Sequence, residues 1–198
     1  MFAKAPTPGR VKTRLLPALG DAAAAALHRD LVERTLCTAA AAGLGQVELW
    51  CAPGTGDAFF AACAARHDLV LREQGEGDLG ARMARALELT LAAGSRGLLI
   101  GSDCPALTPE YLRAAAAALA EGHDAVIGPA EDGGYVLIGL ARSPATALFE
   151  AIAWGSSTVM QETRTRLARL NWHWRELATL WDVDRPEDLL RLTRLRGE

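Results

Sequence analysis

Apolar residues in this chain come in two patterns: short unbroken runs, and longer stretches in which they recur every three or four positions. The runs at 47–52, 69–72, 98–102, 125–128 and 135–140 have the length of buried strands. Between them, 21–42 carries Leu27, Leu31 and Leu36 at near-helical spacing, and 79–93 carries Leu79, Met83, Leu87 and Leu91 at intervals of four. Such spacing predicts helices that lay one apolar face on a sheet. The alanine-rich stretches 22–26, 39–42 and 114–118 lie within segments of this kind and read as helix, because alanine has the highest helix propensity. A further helix is expected from Thr108-Pro109-Glu110, with threonine at the cap and proline in the first turn. Strands alternating with helices predict an α/β fold with a largely parallel sheet.

Both ends of the chain are less regular. Met1-Phe2-Ala3 reads as the last residues of a first strand, but three residues are short for one. The expectation is therefore either a start upstream of Met1 or a strand with little pairing. After Ala141 the pattern predicts helix over 146–153, a turn at 154–158 and a helix ending at Leu170. Trp172, Trp174 and Leu177 alternate as in a strand, and 182–188 turns into a last helix bearing Leu189, Leu190, Leu192 and Leu195. No linker interrupts the pattern, so 1–198 is expected to form one domain.

Composition narrows the function classes. Half of the 198 residues are hydrophobic and the formal net charge is −3, which argues against a broad nucleic-acid-binding surface. Cys37, Cys51, Cys63 and Cys104 form no C-x-x-C pair, so neither a disulfide framework nor a zinc site is expected. No run approaches the roughly 18 apolar residues of a membrane span, and the first residues lack a signal-peptide core. A soluble protein of the reducing cytoplasm is the expectation. His28, His67, His123 and His173 share no motif and receive no role. The tryptophans at 50, 154, 172, 174 and 181 could build a core, an acceptor pocket or a contact in a homo-oligomer, core burial being the commoner use.

Candidate chemistry gathers where strands end. Asp103 follows Leu98-Leu99-Ile100-Gly101-Ser102 and precedes Cys104-Pro105, which places a carboxylate at a strand's C-terminal edge. Turning the loop is its bland alternative role, but Thr108 already supplies the helix cap. The segment Lys4-Ala5-Pro6-Thr7-Pro8-Gly9-Arg10-Val11-Lys12-Thr13-Arg14 joins a strand end to a helix start with four cations, and suits a phosphate chain or is simply a solvated basic loop. It is no P-loop, since Val11 and Pro6 stand where that motif needs glycine. Lys12 is expected in the loop and Arg14 in the first turn. Gln74-Gly75-Glu76-Gly77-Asp78-Leu79-Gly80 lets backbone approach a flat base, or is a turn capped by Asp78. Asp132 in Glu131-Asp132-Gly133-Gly134-Tyr135 is either a base facing an acceptor or part of a hairpin turn. Asp182 and Asp184 flank Val183 and form a plausible cation site, or Asp184 caps the helix begun by Pro186.

As an ordered set, Lys4-x-Pro6-x-x-Gly9-x-x-Lys12-Thr13-Arg14-Leu15, Gln74-Gly75-x-Gly77-x-Leu79-Gly80, Gly101-Ser102-Asp103-Cys104-Pro105, Asp132-Gly133-Gly134-Tyr135 and Trp181-Asp182-Val183-Asp184-x-Pro186-Glu187-Asp188-Leu189 resemble a bacterial family. It is the family of GT-A-like transferases labelled arsenosugar-biosynthesis glycosyltransferase-like, in the nucleotide-diphospho-sugar transferase superfamily. Lys12-Thr13-Arg14-Leu15 is also similar to 2-phospholactate guanylyltransferases, and Asp184-x-Pro186-Glu187-Asp188 to molybdenum-cofactor cytidylyltransferases. The resemblance implies a three-layer α/β/α sandwich and transfer from a nucleotide-sugar to a small-molecule acceptor. Its alternatives are nucleotidyl transfer from a nucleoside triphosphate and a non-catalytic nucleotide-binding protein.

Carried onto this chain, the resemblance implies nucleotide binding by Lys4, Gly9, Arg10, Lys12, Thr13, Gln74, Gly75, Gly77 and Gly80. Magnesium or manganese would sit on Asp103, Asp184 and Asp182, and the acceptor at Asp132, Gly133, Gly134 and Trp154. Asp103, Asp132, Lys12 and Arg14 would carry catalysis. Two departures stand out: Ser102-Asp103-Cys104 supplies one carboxylate where many GT-A enzymes have two, and the first loop lacks G-x-G-x-R.

Overall fold

Apolar runs become strands because each can bury both faces, and the computed structural model shows where they meet. It describes residues 1–94 and 96–197, with side chains described as far as Leu195. Parallel strands β1 (Phe2–Lys4), β2 (Glu48–Ala52) and β3 (Val70–Glu73) pair in that order. A second group has the order β4 (Gly97–Ile100), β6 (Tyr135–Leu140), β5 (Ala125–Pro129) and β7 (Trp174–Glu176). In that group β5 and β7 are parallel, and β6 runs antiparallel to both its neighbours. The expected parallel sheet is therefore mixed at β6, because the connection from β5 to β6 is a tight hairpin and leaves no room for a crossover helix.

The sheet residues alternate between two helical layers. On one side Val126 and Leu137 pack with α1 (Leu16–Ala42), α2 (Ala58–His67) and α4 (Pro109–Ala120). On the other, Ala125, Ile127, Ile138 and Leu140 pack with α3 (Leu79–Ala92), α5 (Thr146–Phe149) and α6 (Val159–Arg169). The last helix, α7 (Pro186–Gly197), lies against α1, with Val183 and Leu192 on Leu15, Leu27 and Leu31. This is the three-layer α/β/α arrangement.

Three local details depart from the apolar pattern. Helix α1 begins before residue 21 but is broken at Gly20, whose φ of 74° is not helical, so the regular helix starts where the periodicity does. Helix α2 escapes the reading by periodicity. It is ten residues long, capped by Asp57, whose carboxylate accepts the Phe59 N–H at 2.9 Å. Helix α5 stops at Phe149 instead of continuing to 153, since Ala151 has a φ of 50° and Arg166 donates to the carbonyls of Glu150 and Ala151.

At the N-terminal ends of β2 and β4 lies a groove of about 1250 Å³, bordered by Met1, Trp50, Leu87 and Leu98. At the opposite, C-terminal ends, loops from both groups close over one another. Core burial holds this arrangement, so Leu137→Ala, at a fully buried position, is expected to cost about 2–5 kcal/mol in urea denaturation. Leu190→Ala, 71% exposed, is expected to stay within about 0.5 kcal/mol.

Candidate functional site

The carboxylate of Asp103 lies three residues beyond the end of β4, where the ladder stops. It receives Lys12 Nζ at 2.8 Å and the Ser102 hydroxyl at 3.1 Å. Lys12 enters from the first loop in a left-handed conformation, φ 50° and ψ 39°, just before a 3-10 turn at Thr13–Leu15. Its side chain is 3% exposed, and its ammonium also donates to the Val183 carbonyl at 2.6 Å. The Val183 N–H in turn donates to the Asp103 carbonyl at 2.9 Å. One lysine thus ties the first loop, the end of β4 and the segment before α7.

His28, on α1, lies beneath this tie and went unnoticed in the sequence because nothing local marks it. Its Nε2 is 3.0 Å from the Lys4 carbonyl, and its Nδ1 is 3.9 Å from Asp103. A carbonyl only accepts, so Nε2 carries the proton. Burial pushes His28 below the ordinary imidazole pKa and outweighs the pull of Asp103. For Asp103, burial opposes ionisation, yet the Lys12 ammonium beside it holds its carboxyl below the usual range.

Asp182 behaves in the opposite way. Burial, followed by the charges of Asp103 and Asp132, raises its carboxyl to about 7. Asp184, two residues on, pairs with Arg14, whose side chain is 59% exposed. It does not cap α7; Asp188 instead accepts the N–H groups of Asp184 and Arg185 at 2.9 and 2.7 Å. Asp132 takes the hairpin-turn role. In the β5–β6 turn its carboxylate accepts the Gly134 N–H at 2.9 Å, and it borders a pocket that also reaches Asp182 and Trp154. Gly133, at φ 89°, lies so close to the Ser157 carbonyl that no Cβ fits, and its own carbonyl accepts the Met160 N–H at 2.8 Å. The hairpin turn and the loop before α6 are thereby pressed together around Trp154.

The residues expected to hold nucleotide divide. Lys4, Arg10 and Thr13 expose their side chains, as does Arg14, which was expected in catalysis, and Gly9 bends the loop at φ 72°. Gln74 is a buried staple: its amide donates to the carbonyls of Ala3 and Trp50 at 3.2 and 2.9 Å and accepts Arg82 at 2.8 Å. Gly75 and Gly77 lie exposed in the loop before α3, with the Arg85 guanidinium against Gly75. Gly80 is buried, and a Cβ there would come within 2.6 Å of the Phe149 carbonyl and 2.8 Å of the Trp154 indole nitrogen. Its glycine serves helix packing, and Asp78 caps α3 through the Ala81 N–H at 2.8 Å.

Among the described residues, no three His, Cys, Asp or Glu side chains gather closely enough to hold a metal by themselves. Magnesium, however, takes only one or two protein carboxylates when substrate phosphates complete its shell. The mutual repulsion of Asp103, Asp132, Asp182 and Asp184 expressed at Asp182 is a field that suits such a cation.

The profile of a family described as uncharacterized proteins conserved in bacteria (DUF2064) matches residues 35–156, more than half of the chain. The chain belongs to this family. Among solved structures, the DUF2064 chain is similar to a protein from Desulfovibrio desulfuricans G20 provisionally named a nucleotide-diphospho-sugar transferase. The two share 34% identity over 93% of this chain and 80% of that one, with a TM-score of 0.82. The 4-diphosphocytidyl-2C-methyl-D-erythritol synthase of Anaerococcus prevotii DSM 20548 superposes with a TM-score of 0.65 at 12% identity, over 100% of this chain and 97% of that one. At that identity the likeness is one of fold. No curated protein matches the sequence. The DUF2064 chain therefore has the nucleotide-diphospho-sugar transferase fold, related to that of nucleotidyltransferases, as the motif set implied.

The raised Asp182 pKa has a definite sign. Between the unfolded value near 4 and the folded value of about 7, the folded state holds the extra proton, so stability falls as pH rises through that window. In buffer stripped of divalent cations, Asp182→Asn is expected to match the wild type near pH 4. Above pH 7 it should gain up to about 4 kcal/mol, read from denaturation at each pH.

Proposed function

We propose that the protein is a nucleotide-sugar-dependent glycosyltransferase acting on a small-molecule acceptor. The observation that carries this reading is the convergence of Asp103, Asp132 and Asp182 on one strand edge, beside a pocket that reaches Asp132 and Trp154. Such an edge is where open α/β sheets bind ligands. The similarity to the Desulfovibrio protein supports the donor class.

In this reading the donor's diphosphate lies toward the exposed cations Arg14, Arg10 and Lys4, and the acceptor lies in the pocket. Asp132, exposed at its border, takes the proton as the acceptor's O–H bond breaks. The acceptor oxygen forms its new bond to the anomeric carbon while the bond from that carbon to the diphosphate breaks. The nucleoside diphosphate leaves with the electron pair. Magnesium or manganese, held by Asp103 with Asp182 or Asp184, would neutralise the departing diphosphate. Lys12 keeps Asp103 ionised and in place, and Arg14 holds Asp184.

Nucleotidyl transfer is the second reading. The fold shared with a cytidylyltransferase and the cations of the first loop favour it, since a triphosphate brings more charge to be met. A thermal-shift panel of nucleotide-sugars and nucleoside triphosphates, with and without magnesium, separates the readings by mass action. Magnesium-dependent stabilisation by a nucleotide-sugar and release of nucleoside diphosphate on turnover are expected. Release of pyrophosphate would establish nucleotidyl transfer instead, and no stabilisation by any nucleotide would leave a non-catalytic protein. Asp132→Asn is expected to lower turnover about 10²–10⁴-fold while the nucleotide-induced shift stays unchanged.

A further inference from the structure

The pocket beside Asp132 has a volume of about 210 Å³, too small for a nucleotide-sugar and close to what one ring or a short branched chain fills. A dry cavity of about 150 Å³ takes up benzene, so this one accommodates a body of about six to nine non-hydrogen atoms. Leu79, Met83, Leu99 and Ile138 form its apolar wall with the rings of Tyr135 and Trp154. Its charged lining residues among those described are Asp132 and Asp182, both acidic; no lysine or arginine reaches it.

The rings of Tyr135 and Trp154 meet edge to face, 6.3 Å apart, and present their apolar faces to the pocket. Their polar atoms are turned away from it: the Tyr135 hydroxyl lies by Thr163, whose oxygen can accept from it while donating to the Val159 carbonyl at 2.8 Å, and the Trp154 indole nitrogen is buried against Gly80. The aromatic side of the pocket is therefore apolar.

We propose that this pocket binds the acceptor, and that the acceptor is an uncharged alcohol with a compact apolar body. The inference rests on the transferase reading only for the word acceptor; the binding preference follows from the pocket itself. A sugar or polyol would bury several hydroxyls against an apolar wall, and each one left unpaired counts against binding. A carboxylate or phosphate would face Asp132 and Asp182 with no cation to offset them. A neutral alcohol meets neither penalty: its body fills the apolar end, and its hydroxyl lies on the side of Asp132.

The test uses benzyl alcohol and cyclohexanol as probes against glycerol, glucose and glycolate, on the full chain and without nucleotide. The readouts are thermal shift and ligand-observed NMR. Benzyl alcohol is expected to bind with a Kd on the order of 1 mM and to raise the melting temperature, the polar probes not at all. Leu79→Trp fills the border of the pocket from a position that is 36% exposed, so folding is spared. It is expected to weaken benzyl alcohol at least tenfold. Preference for glycerol, glucose or glycolate, binding of no probe, or equal binding by Leu79→Trp would each overturn the inference. Benzyl alcohol binding without any nucleotide-induced shift would remove the transferase reading and leave the pocket assignment standing. A nucleotide-sugar shift without alcohol binding would do the reverse.

Discussion

The buried ammonium of Lys12 is the constraint on which the site depends. Removing a lysine from water is costly unless it is both paired and hydrogen-bonded, and here Asp103 and the Val183 carbonyl do both. Because Val183 also donates to the Asp103 backbone, the three segments are locked by side chain and main chain together. They come from residues about 90 and 170 positions away from Lys12 along the chain, so the lock forms only when the sheet halves have docked. The same commitment takes Lys12 away from solvent, leaving Arg14, Arg10 and Lys4 as the accessible cations of the first loop.

Charge is divided unevenly across this lock. Lys12 neutralises Asp103, and Arg14 pairs with Asp184, whereas Asp182 and Asp132 have no cation of their own in the pocket they border. Burial, with the unbalanced neighbouring carboxylates adding to it, raises Asp182 to about 7, whereas Lys12 holds Asp103 below its ordinary range against the effect of burial. Beside it lies the apolar pocket walled by the Tyr135 and Trp154 rings. A polar edge next to an apolar wall is an arrangement suited to holding a reacting hydroxyl by its body while its oxygen faces the carboxylates.

Much of the fold was legible. The runs at 47–52, 125–128 and 135–140 became β2, β5 and β6, and Thr108 caps α4 by accepting the Tyr111 N–H at 3.2 Å, as its spacing implied. Helix α2 was missed because Ala58–His67 is too short for its period to stand out, although Asp57 was a readable cap. For the candidate site, the positions of Asp103 at a strand end and Asp132 in a glycine turn were legible, because both signals are local. His28 was not, since a histidine inside an alanine-rich helix carries no local signal of what lies above it.

The glycines show most clearly where local reading stops. The sequence by itself determined that Gly75, Gly77 and Gly80 open a helix after a strand and that the chain bends there, because cap and period are local properties. It also determined the alternation of strands and helices and the placement of carboxylates at strand ends. Only the tertiary structure decided that Gly80 makes room for Trp154, that Gln74 staples β1 to β2, and that Lys12 is spent on Asp103. Those roles depend on contacts between residues up to 171 positions apart, and the partner brought by folding is not written in the spacing of either residue.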